Sequence, residues 1–493
     1  MRAAMVGILL LVFFPIFGTG TATAADAPPA GRASLQPVVH LEEHIYSYVP
    51  ADNGAHPMWC LGSTCLARIG DDVFASGLET LEGVKPRNNC RWMLFRRDAD
   101  GWVLEQVDPS GRTREPCPVA AFPDGRLFLS ANPTLVQDPN ASGGPARPEI
   151  LEFAASDPKT PYRRMLPAWD GNPSFSQHSY RSFAADGRRR ELILFQNVGY
   201  THSEWAFLDR DGRWAAQGRL FWLKRPDPAK APYGSTGFRV NYPNVLLRDR
   251  EVHFCGASAV DQWERMPDVG DSHRRWGTRF RRLYYTCCKD ITDGNFHDWV
   301  ELANTHHTGG WLFPGDLWLA PDGTLHVLYI EHPIHEGLRD ERFPDIKRVW
   351  YLKHLLVRDG RVVHRDVLFS GGEGISGERI GPMGSARFQV TPDDRLFAVY
   401  YVEGQGDQGS HMSENRILEI GADGTVGPAQ ILPLKHPLQQ FMTATPRAGS
   451  PPSTTMDMLG FRAASPDVAR VEHKYEPGHS WPLRISHAQV QLY

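Results

Sequence analysis

The chain is punctuated by Asp-Gly pairs set between runs of alternating apolar residues, and these pairs come in two kinds that alternate along it. One kind follows a short apolar run and opens the next: "CPVAAFPDGRLFLSAN", "SYRSFAADGRRRELILF", "NYPNVLLRDREVHFCGA", "GDLWLAPDGTLHVLYIE" and "SARFQVTPDDRLFAVYYVE", with Asp-Arg and Asp-Asp standing in twice. The other closes a later run of the same unit: "RWMLFRRDADGWVLEQV", "EWAFLDRDGRWAAQG", "YYTCCKDITDGNFHDWVEL", "VWYLKHLLVRDGRVVHRDVLF" and "RILEIGADGTVGPAQIL". Asp and Gly tolerate the positive φ that tight hairpins demand, so each pair marks a two-strand turn. A unit therefore reads strand A, turn, strand B, loop, strand C, turn, strand D. Four antiparallel strands recurring every roughly 45–70 residues specify a β-propeller.

Six units begin near Cys65, Cys117, Ser179, Asn241, Gly315 and Ser385. A seventh assembles from "FMTATPRAG", "TTMDMLGF" and "LRISHAQVQLY", completed by the N-terminal "PVVHLEEHIYSYV". Sharing one blade between the two termini removes the open edges that radial closure must deal with. The expectation is an all-β, seven-bladed propeller forming a single domain over residues 25–493, with six blades as the alternative. The 14 Trp, 24 Phe, 15 Tyr, 46 Gly and 39 Pro suit many short strands and turns.

Residues 1–24 read as a secretory signal peptide: a basic start, the apolar "VGILLLVFFPIFG", then the small-residue "TATAADA". The mature chain is expected to be exported, secreted or periplasmic, and monomeric. No later stretch reads as a membrane span, and a net charge of −4 gives no electrostatic case for nucleic acid. The seven cysteines lack zinc spacing, so structural disulfides are expected, with at least one thiol left over. Carbonyl and carboxylate oxygens lining an axis could take a structural calcium or zinc ion, but the spacing specifies none and no cofactor is assigned.

Strand alternation sorts the remaining residues by face. All the Asp-Gly turns fall on one face, which is expected to be plain and inert. The B–C loops and the links into strand A fall on the other, where rigid scaffolds carry their sites. His178 opens a strand A and His202 follows the next strand B, so the two are expected to be neighbours. The same face collects Arg239, Asn241 and Tyr242, then His306, His307, Trp311 and Asp316, then Glu378, Arg379 and Arg387. Its B–C loops carry Trp263, Arg265 and His273, then Glu331, His332 and His335, then Glu403 and His411.

These Asp-Gly blades resemble the bacterial-neuraminidase-repeat superfamily of propellers, and within it the seven-bladed polysaccharide lyases of the ulvan lyase type. Those enzymes set a His at the start of one A strand, a second His after the following B strand and a Tyr opening the next blade; His178, His202 and Tyr242 match. The family's Arg near the end of the next strand does not: the aligned position lies near Cys255, and Arg265, Arg239 or Arg387 would have to serve. Sialidases are also similar, but their Arg-Ile-Pro stretch is missing and "TDGNFHDW" is a partial echo of their repeat box.

The lyase resemblance implies β-elimination on an acidic, uronate-containing polysaccharide or oligosaccharide. A cation must neutralise the uronate carboxylate before its neighbouring proton can leave. His202 or Tyr242 is the expected base or acid, with His178 orienting or neutralising. Arg239, Asn241, Trp263, Arg265, His306, His307 and Arg387 are the expected substrate-binding residues. Two alternatives stand: a glycoside hydrolase using a carboxylate pair from Asp316, Glu331, Glu378 and Glu403, and a non-catalytic carbohydrate- or protein-binding propeller.

Overall fold

The computed structural model describes residues 35–109, 111–161, 163–199, 201–224, 239–259, 280–375, 378–380, 386–405, 410–462 and 483–493. The signal-peptide segment, Trp263, Arg265 and His273 lie outside them, as do the side chains of Glu378 and Arg379. The described strands form seven antiparallel sheets, one per blade. In blade 3, for example, Ser182–Asp186, Glu191–Val198, His202–Leu208 and Trp214–Phe221 are paired in chain order. Blade 7 is ordered as expected: Leu438–Thr443, Thr455–Arg462 and Leu483–Leu492 from the C-terminal end, with Pro37–Tyr48 as its outer strand.

Apolar side chains on both faces of each blade bury against the next, because neither face of an inner strand meets water. Between blades 3 and 4 this packing is aromatic, with Phe195, Trp205, Trp222 and Phe254 in one cluster. The closure carries a charged clamp. Buried His487 bonds through Nε2 to Asp457 Oδ1 at 3.0 Å, and Arg68 of blade 1 donates through Nε to Asp457 Oδ2 at 2.6 Å.

The axis holds a feature without a strand pattern. Residues 51–64 run from the outer strand of blade 7 into the centre and plug it. Ser63 Oγ accepts from Phe183 N of blade 3 at 2.9 Å, and Thr64 Oγ1 donates to Thr443 O of blade 7 at 2.9 Å. Gly62 lies so close to the neighbouring blade that a Cβ would stand 1.8 Å from Pro243 O, so only glycine fits there.

Two expectations need correction. In place of paired cysteines, the structure holds all seven as free, buried thiols, most of them facing apolar side chains between blades. The turn face is not plain either. Its centre opens into a cavity of about 400 Å³, lined among others by Asp186, Arg188, Leu247, Trp318, Phe388 and Pro451.

Candidate functional site

His178 lies on the link into strand A of blade 3, at the loop-face mouth of the axis. Its position is set from the blade 1–2 link, where Arg114 and Glu115 are both buried. Arg114 Nη1 donates to His178 Nδ1 at 2.9 Å and to Glu115 Oε1 at 3.0 Å. Glu115 Oε2 in turn accepts from Ser179 N at 3.2 Å and from the Ser179 hydroxyl. The plug holds Arg114 from behind, since Arg114 Nε donates to Asn53 O at 2.8 Å.

A guanidinium has donors only, so the Arg114 bond makes Nδ1 of His178 the acceptor. The ring proton then sits on Nε2. Burial, then the charges of Arg114, Arg87 and Arg239, push the His178 pKa down to about 4. The imidazole is neutral at ordinary pH and offers one N–H.

Beside it stand two tyrosines in left-handed backbone conformation, Tyr180 at φ +37° and Tyr242 at φ +48°. Such conformations cost a bulky residue of order 1–3 kcal/mol and gather at sites where the surroundings enforce them. Here Ser179 is tied to Glu115, and Tyr242 occupies a bulge between Asn241 and Asn244 in blade 4. The rings meet edge to face at 5.1 Å, and Tyr180 stacks on His178 at 6.0 Å. Trp59 of the plug contacts Tyr242 at 5.3 Å, and Phe280 and Phe313 complete the floor. The Arg239 guanidinium lies 5.5 Å from the Tyr180 ring centroid. Tyr242 is nearly buried; desolvation, then Tyr180 and Glu115, push its pKa well above the usual value.

The structure thus brings His178, Tyr242 and Arg239 together, with Asn241 buried beside Tyr242 and its Oδ1 lacking a hydrogen-bond partner among the described residues. It does not bring in His202. That residue opens strand C, two strands out from strand A of its blade, a distance of about 10 Å at ordinary strand spacing. Its Nδ1 is 2.7 Å from Thr201 Oγ1 and its Nε2 is 3.0 Å from Glu204 Oε1. His178 and His202 share a blade and a face as expected, and no direct contact among the described residues joins them.

Arg387 is corrected as well. It is 2% exposed and spends its donors on the carbonyls of Gly315, Ala386 and Leu61, so it fills the axis. Asp316 is equally interior, bridged to Arg447 at 2.6 Å. His306 and His307 form a short helical turn in the blade 4–5 link; His306 is buried, with its pKa pushed down to about 4 by desolvation and by Arg282 and Arg281, while His307 is exposed. Glu331 is paired with Lys353 at 2.6 Å, and Glu403 accepts from Gln439 at 3.3 Å. Among the described residues no group of three or more His, Cys, Asp or Glu side chains could hold a metal ion, and no helix is long and apolar enough to cross a membrane.

No protein-family model matches this chain, and no curated protein matches it in sequence. Solved structures similar to it include a polysaccharide lyase of the PL25 ulvan lyase family bound to -[GlcA(1-4)Rha3S]-. That chain has 11% identity and a TM-score of 0.44, over 79% of this chain and 96% of that one. The α-L-arabinofuranosidase Arb93A from Fusarium graminearum has 12% identity and a TM-score of 0.37, over 78% and 94%. The WD40 domain of Toxoplasma gondii coronin has 10% identity and a TM-score of 0.40, over 92% and 86%.

Proposed function

We propose that this chain is an exported carbohydrate-active enzyme that cleaves an acidic, uronate-containing glycan by β-elimination at the loop-face mouth. The observation that carries this reading is the company of His178: guanidinium groups from Arg114, Arg87 and Arg239 acting on one neutral imidazole, above a floor of Tyr180, Tyr242 and Trp59. Clustered guanidiniums select an anion, and aromatic faces suit the apolar face of a sugar ring.

The roles follow from the environments. Neutral His178 donates Nε2–H to the uronate carboxylate as it takes on enolate character, and Arg239 supplies the balancing charge. A neutral imidazole serves well there, because a preorganised donor stabilises the developing charge without first having to lose its own. Tyr180, acting as a phenolate beside the Arg239 guanidinium, removes the proton next to the carboxylate and becomes the phenol. Tyr242, kept protonated by its burial, gives its hydroxyl proton to the leaving glycosidic oxygen, and proton transfer from Tyr180 to Tyr242, whose rings are 5.1 Å apart, restores both groups. His202, expected as a base or acid, has no part in these steps.

The hydrolase alternative needs two carboxylates about 5–9.5 Å apart in one pocket. Asp316, Glu331 and Glu403 instead stand in separate ion pairs and hydrogen bonds. The test is ultraviolet absorbance of unsaturated uronate during incubation with a panel of acidic polysaccharides. A rise that vanishes in His178→Ala and Tyr242→Phe supports the lyase. New reducing ends without absorbance support a hydrolase, and neither signal leaves a binding propeller.

A further inference from the structure

We infer that Cys60 and Cys65 become a disulfide when the chain folds in the presence of a low-molecular-weight disulfide such as oxidised glutathione, stapling the plug beneath the Trp59 floor. Their sulfurs touch at 3.3 Å. The chain turns back between them, with Ser63 N donating to Cys60 O at 2.8 Å, so thiols five residues apart face each other. The other five are placed differently. Cys287 and Cys288 are consecutive on one strand and bury into different inter-blade clusters. Cys255 lies in the core between blades 4 and 5. Cys90 contacts Asn53 Nδ2 at 3.4 Å, and Cys117 contacts Arg181 Nη2 at 3.6 Å.

The thiolate is the nucleophile in thiol–disulfide exchange, so the reaction needs thiols that the small disulfide can reach. Because both thiols are buried in the finished fold, exchange takes place while the plug is still open.

The Cys65 thiolate attacks one sulfur of oxidised glutathione, the glutathione S–S bond breaks, and one glutathione thiolate leaves. The Cys60 thiolate then attacks Cys65 Sγ of the mixed disulfide and expels the second. Two protein thiols are oxidised, one disulfide is reduced to two thiols, and the two protons end on glutathione.

The test is refolding in a glutathione redox buffer, alkylation in denaturant without reductant, tryptic digestion and mass spectrometry. The expected result is a peptide ending at Arg68 that lacks two alkyl groups and is lighter by two hydrogens than its reduced form, with the other five cysteines alkylated. The oxidised protein should melt about 2 °C higher than the reduced one, and Cys60→Ser and Cys65→Ser should abolish that difference. Seven alkylated cysteines, or a peptide ending at Arg68 joined to the Cys117 peptide, overturns the inference. The measurement on the unmodified sequence decides it even where a serine variant fails to fold.

Discussion

Two charged clusters share the propeller axis, and they differ in where their guanidinium groups spend their donors. In the lower cluster Arg447 binds Asp316 and the carbonyls of Gly62 and Val245, while Arg387 is spent on three further carbonyls. Both guanidiniums there are buried with their donors turned onto the chain around them, although Arg447 borders the turn-face cavity. In the upper cluster Arg114 is held by Asn53 and Glu115 but turns one donor on His178, and Arg239 lies over Tyr180 with partial exposure. Arginine on a propeller axis is therefore not a binding signal by itself. What separates a pore filler from a candidate ligand group is where the N–H groups go.

The largest effect expected from this contrast is on stability. Asp316→Ala leaves Arg447 buried without its carboxylate, which costs about 3–5 kcal/mol. Denaturant unfolding should show the midpoint fall sharply. A variant that stayed as stable as the parent and lost only activity would move Asp316 into the site and restore the hydrolase reading. Upper-cluster changes should do the reverse. His178→Ala should lower turnover on an acidic glycan by about 100-fold, the scale of losing one preorganised donor, with little change in melting temperature.

Arg114→Gln sharpens the same comparison through pH. In the parent, His178 stays neutral down to about pH 4 because of burial and then the Arg114 charge. Removing the cation raises that pKa, so the acid limb of the rate profile should shift to higher pH and activity at pH 5 should fall first. An unchanged acid limb would show that Arg114 does not set the protonation of His178.

Much of this was legible in the sequence and some was not, for identifiable reasons. The seven blades follow from strand alternation and turn chemistry, because every blade repeats the same hairpins and the termini supply the missing strands. Tyr242, Arg239 and Asn241 follow from the same sorting of links and loops. The rule that located Arg239 also points to Arg114 and Glu115 in "TREPCP", which precedes strand A of blade 2. Tyr180 was passed over for the histidine two residues before it. The plug had no periodicity to reveal it, and nothing in the pattern shows that Arg387 would turn inward to the Leu61 carbonyl it meets there. Face alone does not give the distance of His202 from the axis, which depends on whether a residue opens strand A or strand C.

A pH-dependent effect belongs to blade 5, where two histidines pack against Phe388 beside the lower cluster. His326 Nδ1 and His354 Nε2 are 3.0 Å apart and buried, with pKa values pushed down to about 4 and about 3, chiefly by desolvation. The folded state keeps both neutral while the unfolded chain takes up protons near pH 6.5, so their contribution is intact above pH 6.5 and is lost progressively as pH falls toward 4. The slope approaches about 1.4 kcal/mol per pH unit for each group. Melting temperature should drop across that window, and a His326→Leu, His354→Leu double variant should flatten the drop.

The smallest effect is expected at His202, and it separates face from function most directly. Its two ring nitrogens are engaged by Thr201 and Glu204, and Arg219 holds Glu204 from the other side at 2.8 Å. His202→Ala removes two hydrogen bonds at a partly exposed position and leaves Glu204 with its guanidinium, so the stability cost should be about 1 kcal/mol. Turnover should stay within about 3-fold of the parent, because an interaction absent from the reacting pocket carries no transition-state stabilisation. A loss at His202 as deep as that at His178 would mean that the substrate reaches outward across blade 3 to strand C, and the site would then have to be redrawn along the blade instead of around the axis.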